Sequence, residues 1–76
     1  MTPQKGEIWQ HYKTKGEYEI IGMGTLQVKI EDLDMKECVV YQSLEDKKVW
    51  VRPLEDFMEK VKNEEGGETN RFIKIC

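Results

Sequence analysis

The stretch VVYQSLEDKKVWVRP, residues 39–53, contains two apolar runs on either side of a charged turn. Short runs rich in valine and aromatic residues, separated by polar residues, are typical of a β-hairpin. A loop at 45–48 places Leu44 opposite Val49 and Ser43 opposite Trp50. The sequence therefore predicts an antiparallel hairpin in this register.

The two faces of this hairpin differ in chemistry, because side chains alternate across a strand. One face carries Tyr41, Trp50 and Arg52, close enough for the guanidinium to stack on a ring, worth roughly 0.5–1 kcal/mol where exposed. We expect this face either to fasten a helix to the sheet or to contact a partner. The other face is mainly aliphatic and is predicted to pack on the core. It consists of Val40, Leu44, Val49 and Val51.

The chain before the hairpin predicts two further strands. In residues 7–13, Trp9 and His11 fall on the same face. In residues 18–30, apolar residues and glycines hold the even positions, a period of two over thirteen residues. A straight strand of that length spans about 40 Å, too long for so small a domain, so we predict a bulge, a sharp bend or a turn at Gly22 and Gly24. The acidic residues 31–37 that follow are predicted to form a loop.

The chain after the hairpin predicts one helix and a last strand. Proline suits the first position of a helix, so the helix is expected to begin at Pro53 and to continue to about Lys62. Residues 63–70 are predicted to form a mobile loop, and 71–75 a short strand with Phe72 and Lys74 on one side and Ile73 and Ile75 on the other. The helix has a narrow apolar stripe that would pack on the sheet. The stripe consists of Leu54, Phe57, Met58 and Val61.

Together these elements predict one mainly β domain over residues 1–76. The fold that fits them best is an SH3-like, partly open antiparallel β-barrel with one short helix before the last strand. A chain of 76 residues is too short to form two cores. Closing the sheet would also remove unpaired strand edges, which invite association with other chains.

The composition favours an ordered protein without a general attraction to polyanions, although a local basic patch is still possible. Hydrophobic residues make up 38% of the chain and charged residues 36%, with a formal net charge of −3. This charge gives no general attraction to nucleic acid or to an anionic membrane. No apolar run approaches the ~20 residues that span a bilayer, and the N-terminus lacks the apolar segment of a signal peptide. We therefore expect a cytoplasmic protein that does not bind membranes.

Five segments carry a family resemblance, namely HYK (11–13), YEIIG (18–22), VVYQSL (39–44), WVRPLEDFMEKV (50–61) and RF (71–72). Together they resemble a bacterial family of small proteins known as domain of unknown function 1653 (DUF1653). The resemblance implies an SH3-like fold and supplies no catalytic residues. Relatives usually carry a His-Ser/Thr-Glu triplet before VVY, where this chain reads TLQVKIEDLDMKE (25–37). No role of that triplet is therefore carried over.

The sequence contains no recognisable pattern for catalysis, metal binding or a cofactor. His11 is the only histidine, and no feature of the sequence places it beside a nucleophile. Cys38 and Cys76 lack the spacing of a zinc site, and we expect Cys38 to be a buried small hydrophobe. Gly-rich phosphate loops and nucleophile elbows are missing as well. We therefore predict a protein that is not an enzyme and needs no cofactor or metal.

The density of aromatic residues instead predicts a binding module for a protein or peptide. Aromatic and arginine side chains commonly supply most of the energy at interfaces. The predicted contact residues are Trp9, His11, Tyr41, Trp50 and Arg52. In the competing interpretation, most of these rings pack beneath the helix, with Trp50 against Phe57.

The alternative function is nucleic-acid binding by an SH3-like module of the Tudor or KOW type. Four cations are candidates for such a surface if the fold brings them to one side: Lys13, Lys15, Arg52 and Arg71. The net negative charge makes this class less favoured. We expect the protein to be a monomer or a weak homodimer in either case.

Overall fold

Seven short strands and one helical turn form the fold in the computed structural model, which describes residues 2–76. The chain is therefore mainly β, as predicted. The elements are β1 (Ile8–His11), β2 (Glu17–Thr25), β3 (Glu37–Ser43), β4 (Val49–Pro53), α1 (Leu54–Phe57), β5 (Lys60–Lys62), β6 (Glu68–Asn70) and β7 (Phe72–Lys74).

Five of the strands form one antiparallel sheet in the order β4-β3-β2-β1-β7, and β5 and β6 form a separate hairpin. The last strand therefore lies beside the first one, as it does when a sheet curls back on itself. However, β4 and β7 each have only one neighbouring strand within residues 2–76. The sheet does not close into a barrel, and the predicted SH3-like, partly open barrel is not confirmed.

Strand β2 contains one β-bulge. Ile20 lies opposite Tyr41 and Gly22 opposite Val40, so Ile21 is an extra residue on the β2 side. A bulge bends a strand and increases its twist. The prediction of an irregularity beside the two glycines is confirmed.

Beyond the bulge, β2 ends at Thr25, and the predicted continuation of the strand through 26–30 is wrong. Two backbone hydrogen bonds of Leu26 close a loop here. Its N–H donates to the Lys36 carbonyl (2.8 Å), and its carbonyl accepts from the Met35 N–H (2.6 Å). The Val28 N–H is satisfied by the Asp34 carboxylate at 3.1 Å. Because these backbone groups form hydrogen bonds within the 26–36 loop, the strand does not continue, although the apolar residues go on alternating.

The β3–β4 hairpin forms, but its register differs from the predicted one. Trp50 lies opposite Tyr41 and Val49 opposite Gln42, so the loop spans 44–47. The Ser43 N–H donates to the Lys48 carbonyl at 2.9 Å and closes the turn. The shift of one residue at each end leaves the members of each face unchanged, because opposite residues share a face.

Which face is buried was predicted incorrectly. On the aliphatic side Val49 is exposed by 53% and Val51 by 61%, and Leu44 is exposed as well. Val40 is half-buried, whereas Tyr41 on the other side is buried. The aromatic side is the core side because each ring removes about 150–250 Å² from water, more than a valine does. Val39 shares this inner face, is completely buried and packs in the core with Tyr41.

The helix is a single turn and does not reach Lys62 as predicted. It ends at Phe57, and Lys60–Lys62 pairs as a strand with Glu68–Asn70. The predicted mobile loop is therefore in part a strand, and the helix is separated from β7 by a hairpin. Of the predicted stripe, only Phe57 is fully buried, while Met58 is exposed.

The core is a cluster of aromatic and branched residues between the sheet and α1. Phe57 reaches from α1 to the sheet, with its ring centroid 5.5 Å from that of Trp9 and 5.3 Å from that of Tyr41. Trp9 thus occupies the position that one interpretation of the sequence gave to Trp50. The clustered buried residues are Trp9, Ile20, Val39, Tyr41, Phe57 and Phe72.

Candidate binding surface

The five predicted contact residues separate into a buried pair and a group at the surface. Trp9 and Tyr41 are 5% and 3% exposed and belong to the core. Trp50 is 42% exposed, and His11 and Arg52 are half-buried. The structure therefore excludes the rings of Trp9 and Tyr41 as a contact surface and leaves the other three residues available.

Trp9 is held in place by both ends of its indole. Its ring packs edge-on against Phe57, and its Nε1–H donates to Glu7 Oε1 at 3.0 Å. Glu7 also accepts a bond from the Gln4 N–H and pairs with Lys74 at 3.1 Å. The backbone hydrogen bond from Gln4, followed by the one from Trp9, lowers the pKa of the Glu7 carboxyl below its usual value. These contacts give Trp9 a structural role.

Arg52 covers the edge of the aromatic core. Its guanidinium carbon lies 6.0 Å from the ring centroid of Phe72, and its Nε donates a long bond of 3.4 Å to the Tyr41 hydroxyl. Within residues 2–76 no carboxylate lies within salt-bridge distance of Arg52, although the structure contains three other ion pairs. The guanidinium thus lies over one ring and bonds to one hydroxyl, and most of its donors remain available.

His11 lies at the same edge of the aromatic core, where its ring also contacts Phe72. We call this edge, formed by Arg52, His11, Tyr18 and Trp50, the rim. The centroids of these two rings are 5.2 Å apart. His11 Nδ1 accepts from the N–H groups of Lys13 (3.2 Å) and Thr14 (3.4 Å). An imidazole that accepts at Nδ1 carries its proton at Nε2 when neutral, so Nε2 is a donor.

The electrostatic surroundings of His11 favour the neutral imidazole. Burial lowers its pKa below the usual value, and the positive charges of Arg71, Arg52 and Lys13 lower the pKa further. Arg71 is itself paired with Glu59 at 3.0 Å. The rim is therefore locally basic in a chain of net charge −3.

Tyr18 is a rim residue that the sequence analysis did not select. It lies opposite Trp9 in the β1–β2 ladder, which puts it on the inner face, and its ring is 5.3 Å from that of Tyr41. Burial raises the pKa of the Tyr18 phenol, and the neighbouring Tyr41 and Asp46 raise it further. The sequence shows that Tyr18 holds an even position in the period-two pattern. It does not show that Tyr18 pairs with Trp9, which is what places it at the rim.

Trp50 is the most exposed ring of the predicted set. It lies on the inner face of β4, at the edge of the sheet, directly opposite Tyr41. The Lys48 ammonium is 4.4 Å from its ring centroid. A cation above an exposed indole contributes about 0.5–1 kcal/mol. Together with Arg52, these two side chains continue the rim along the outer strand β4.

Other features of the described chain do not form a chemical site. A surface hollow of about 470 Å³ is lined by Tyr12, Lys13, Lys15, Lys62, Asn63, Glu64 and Glu65. It includes none of the predicted contact residues, and its two glutamates oppose its three lysines. No group of metal-ligating side chains occurs in residues 2–76. Both cysteines are free thiols, with Cys38 buried as predicted.

A comparison with protein families matches residues 7–74 to the family described as "Protein of unknown function (DUF1653)". The chain belongs to this family. The match covers nearly the whole chain and confirms the resemblance that HYK, VVYQSL and WVRPLEDFMEKV carry. For a DUF1653 protein the family description gives no activity, so the function has to be argued from the surface itself.

No curated protein matches the chain, and no solved structure matches it. In the part of the chain that the structure describes, no helix is long and apolar enough to cross a membrane.

Proposed function

We propose that this DUF1653 protein is a non-enzymatic binding module for a protein or peptide. Its contact surface is the rim of the aromatic core, formed by Trp50, Arg52, His11 and Tyr18. The observation that supports this proposal is the state of Arg52, which is half-buried on Phe72 and has no carboxylate partner in residues 2–76.

An arginine in this setting is suited to recognition. Its aromatic support fixes the guanidinium, so less freedom is lost when a ligand binds, while its remaining donors can engage a carboxylate in a fork geometry. Trp50 adds an exposed apolar ring on the neighbouring part of the inner face. Arginine and tryptophan are the residue types most often found as hot spots.

The test is a comparison of partners retained by the full chain and by four variants. Trp50→Ala and Arg52→Ala are expected to lose the same partners in a pull-down analysed by mass spectrometry. Matched controls are Ile30→Ala and Lys29→Ala, which change an exposed apolar residue and a cation in the 26–36 loop. If both rim variants fold and keep every partner that the controls keep, the proposed surface is wrong.

Nucleic-acid binding is the second candidate, because Lys13, Arg52 and Arg71 all lie close enough to His11 to lower its pKa. Part of this charge is neutralised, since Arg71 is paired with Glu59. Affinity for single-stranded RNA that rises steeply as salt falls would favour this function, because phosphate contacts release counterions. No binding at low salt would exclude it.

We also propose that the curved sheet is an SH3-like barrel left open between β4 and β7, in a bacterial cytoplasmic protein that is a monomer or weak homodimer. The order β4-β3-β2-β1-β7 supports the first part, since it brings the last strand beside the first one. An experimental structure superposed on SH3-like barrels tests the fold. Sedimentation equilibrium tests the oligomeric state.

A further inference from the structure

Strand β4 is an outer strand whose peptide groups alternate between two directions. The Ser43 N–H donates to the Lys48 carbonyl, which makes these two residues a hydrogen-bonded pair of the ladder. In an antiparallel ladder every second pair is of this kind. The pairs that contain Trp50 and Arg52 are therefore bonded to β3, and the peptide groups of Val49 and Val51 point away from the sheet.

These outward peptide groups are accessible. Within residues 2–76 no backbone or side-chain hydrogen bond reaches Val49 or Val51 from outside the β3 ladder, and both side chains are more than half exposed. An edge of this kind is a template on which an extended chain can add as a further strand. Alternate side chains of that chain would then lie next to Lys48, Trp50 and Arg52.

The charge of the edge indicates what kind of chain it accepts. Residues 47–53 contain Lys47, Lys48 and Arg52 and no acidic residue, and none of the three cations forms an ion pair within residues 2–76. The preceding Asp46 is engaged in the turn, where it accepts from the Lys48 N–H at 2.9 Å. The edge is therefore basic in a chain whose net charge is −3.

A second copy of β4 fits this edge poorly. If Val49 paired with Val51 of another copy, each Lys48 would lie opposite an Arg52, and like charges directly opposite each other destabilise a strand pair. Lysines on an edge strand are a common protection against such self-pairing. A strand with carboxylates at these positions has the complementary charge.

We propose that β4 binds an extended acidic peptide segment as an added strand, with one carboxylate beside Lys48, another beside Arg52 and an apolar residue between them beside Trp50. Because the three β4 residues alternate along one face, the segment carries an acidic residue two positions before and two positions after the apolar one. This binding mode rests on the proposed function, since it uses the same Trp50 and Arg52.

The test selects peptides from a random dodecapeptide phage library on the full chain and measures their affinity for variants. Enriched peptides are expected to contain acidic-x-apolar-x-acidic patterns without an internal proline. Val51→Pro removes only the outward N–H, which proline tolerates at an edge, and is expected to weaken binding at least about tenfold. The matched control Val51→Ala is expected to stay within about threefold. If Val51→Pro does not fold, Val49→Pro makes the same test.

The outcomes separate this mode from the proposed function. Enriched peptides that lose affinity with Trp50→Ala and Arg52→Ala but not with folded Val51→Pro or Val49→Pro would overturn strand addition and retain the surface. Peptides that bind all four variants like the wild type would overturn both. Enrichment of basic peptides, or of no sequence at all, would overturn the acidic strand.

Discussion

Phe57 and Phe72 stack face to face, with their ring centroids 4.2 Å apart and their planes inclined by only 3°. One ring comes from the helical turn and the other from the last strand of the sheet. This contact joins α1 to β7, across the intervening β5–β6 hairpin. Arg52 and His11 both lie next to the Phe72 ring of this pair.

Phe57→Ala is expected to cost about 3–5 kcal/mol, because it leaves a cavity under a completely buried ring. A loss of this size is enough to unfold a domain whose stability lies near the lower end of the usual range of about 5–15 kcal/mol. Met58→Ala, at the exposed neighbour, is expected to change stability by less than about 1 kcal/mol. Urea unfolding followed by circular dichroism measures both. An unchanged midpoint for Phe57→Ala would mean that the helix does not pack on the sheet.

The stability of the fold is expected to fall as pH is lowered from 7 through about 6.5. The pKa of His11 is depressed in the folded protein, first by burial and then by Arg71, Arg52 and Lys13. Below about pH 6.5, His11 is therefore protonated in the unfolded chain but still neutral in the folded one. This difference favours unfolding until the pH falls below the pKa of His11 in the folded protein.

His11→Asn supplies the control for this pH dependence. The asparagine carbonyl can accept a bond in place of Nδ1 but does not titrate. Because His11 is the only histidine, the slope of melting temperature against pH between 7 and 5 is expected to flatten in the variant. An identical slope would place the origin of the pH dependence elsewhere.

The two tryptophans are expected to differ in fluorescence. Trp50→Phe leaves only the buried Trp9, whose emission should lie at short wavelength and resist acrylamide quenching. Trp9→Phe leaves the half-exposed Trp50, which should be quenched readily. Equal quenching of the two variants would contradict the division of these residues between core and rim.

Gly66→Ala tests whether the segment after Phe57 is a hairpin. Gly66 has a φ of +84°, a conformation that costs other residues about 1–2 kcal/mol. The neighbouring Gly67→Ala is the control, because an added methyl there meets only Asn63 at an ordinary 3.5 Å. The melting temperature should fall with Gly66→Ala and change little with Gly67→Ala. The reverse order would contradict the β5–β6 turn.

Local alternation was sufficient to predict part of the fold. It placed Trp9 with His11 on one face of the first strand. It also placed Tyr41 with Trp50 and Arg52 on one face of the hairpin, and both groupings are present in the structure. The glycine pair marked the bulge in β2 correctly. These features depend on residues that are close together in the sequence, so they can be predicted from the sequence alone.

Features that depend on distant partners were not predictable in this way. Nothing in residues 39–53 says which face meets Phe57 and Phe72, and valines exposed on an outer strand look like core residues in sequence. Val61 fits the spacing of a helical stripe, but its segment pairs with Glu68–Asn70 instead. Burial of Trp9 and Tyr41, and hence their absence from the proposed contact surface, follows from the same distant packing.

Hydrogen exchange along β4 tests the central claim most directly. The inner aromatic face of the sheet is covered by α1, and every second peptide group of the outer strand β4 faces solvent. In the free protein the amides of Trp50 and Arg52 should be protected, and those of Val49 and Val51 should exchange rapidly. Protection of Val49 and Val51, or rapid exchange at Trp50 and Arg52, would contradict both the register and the open edge.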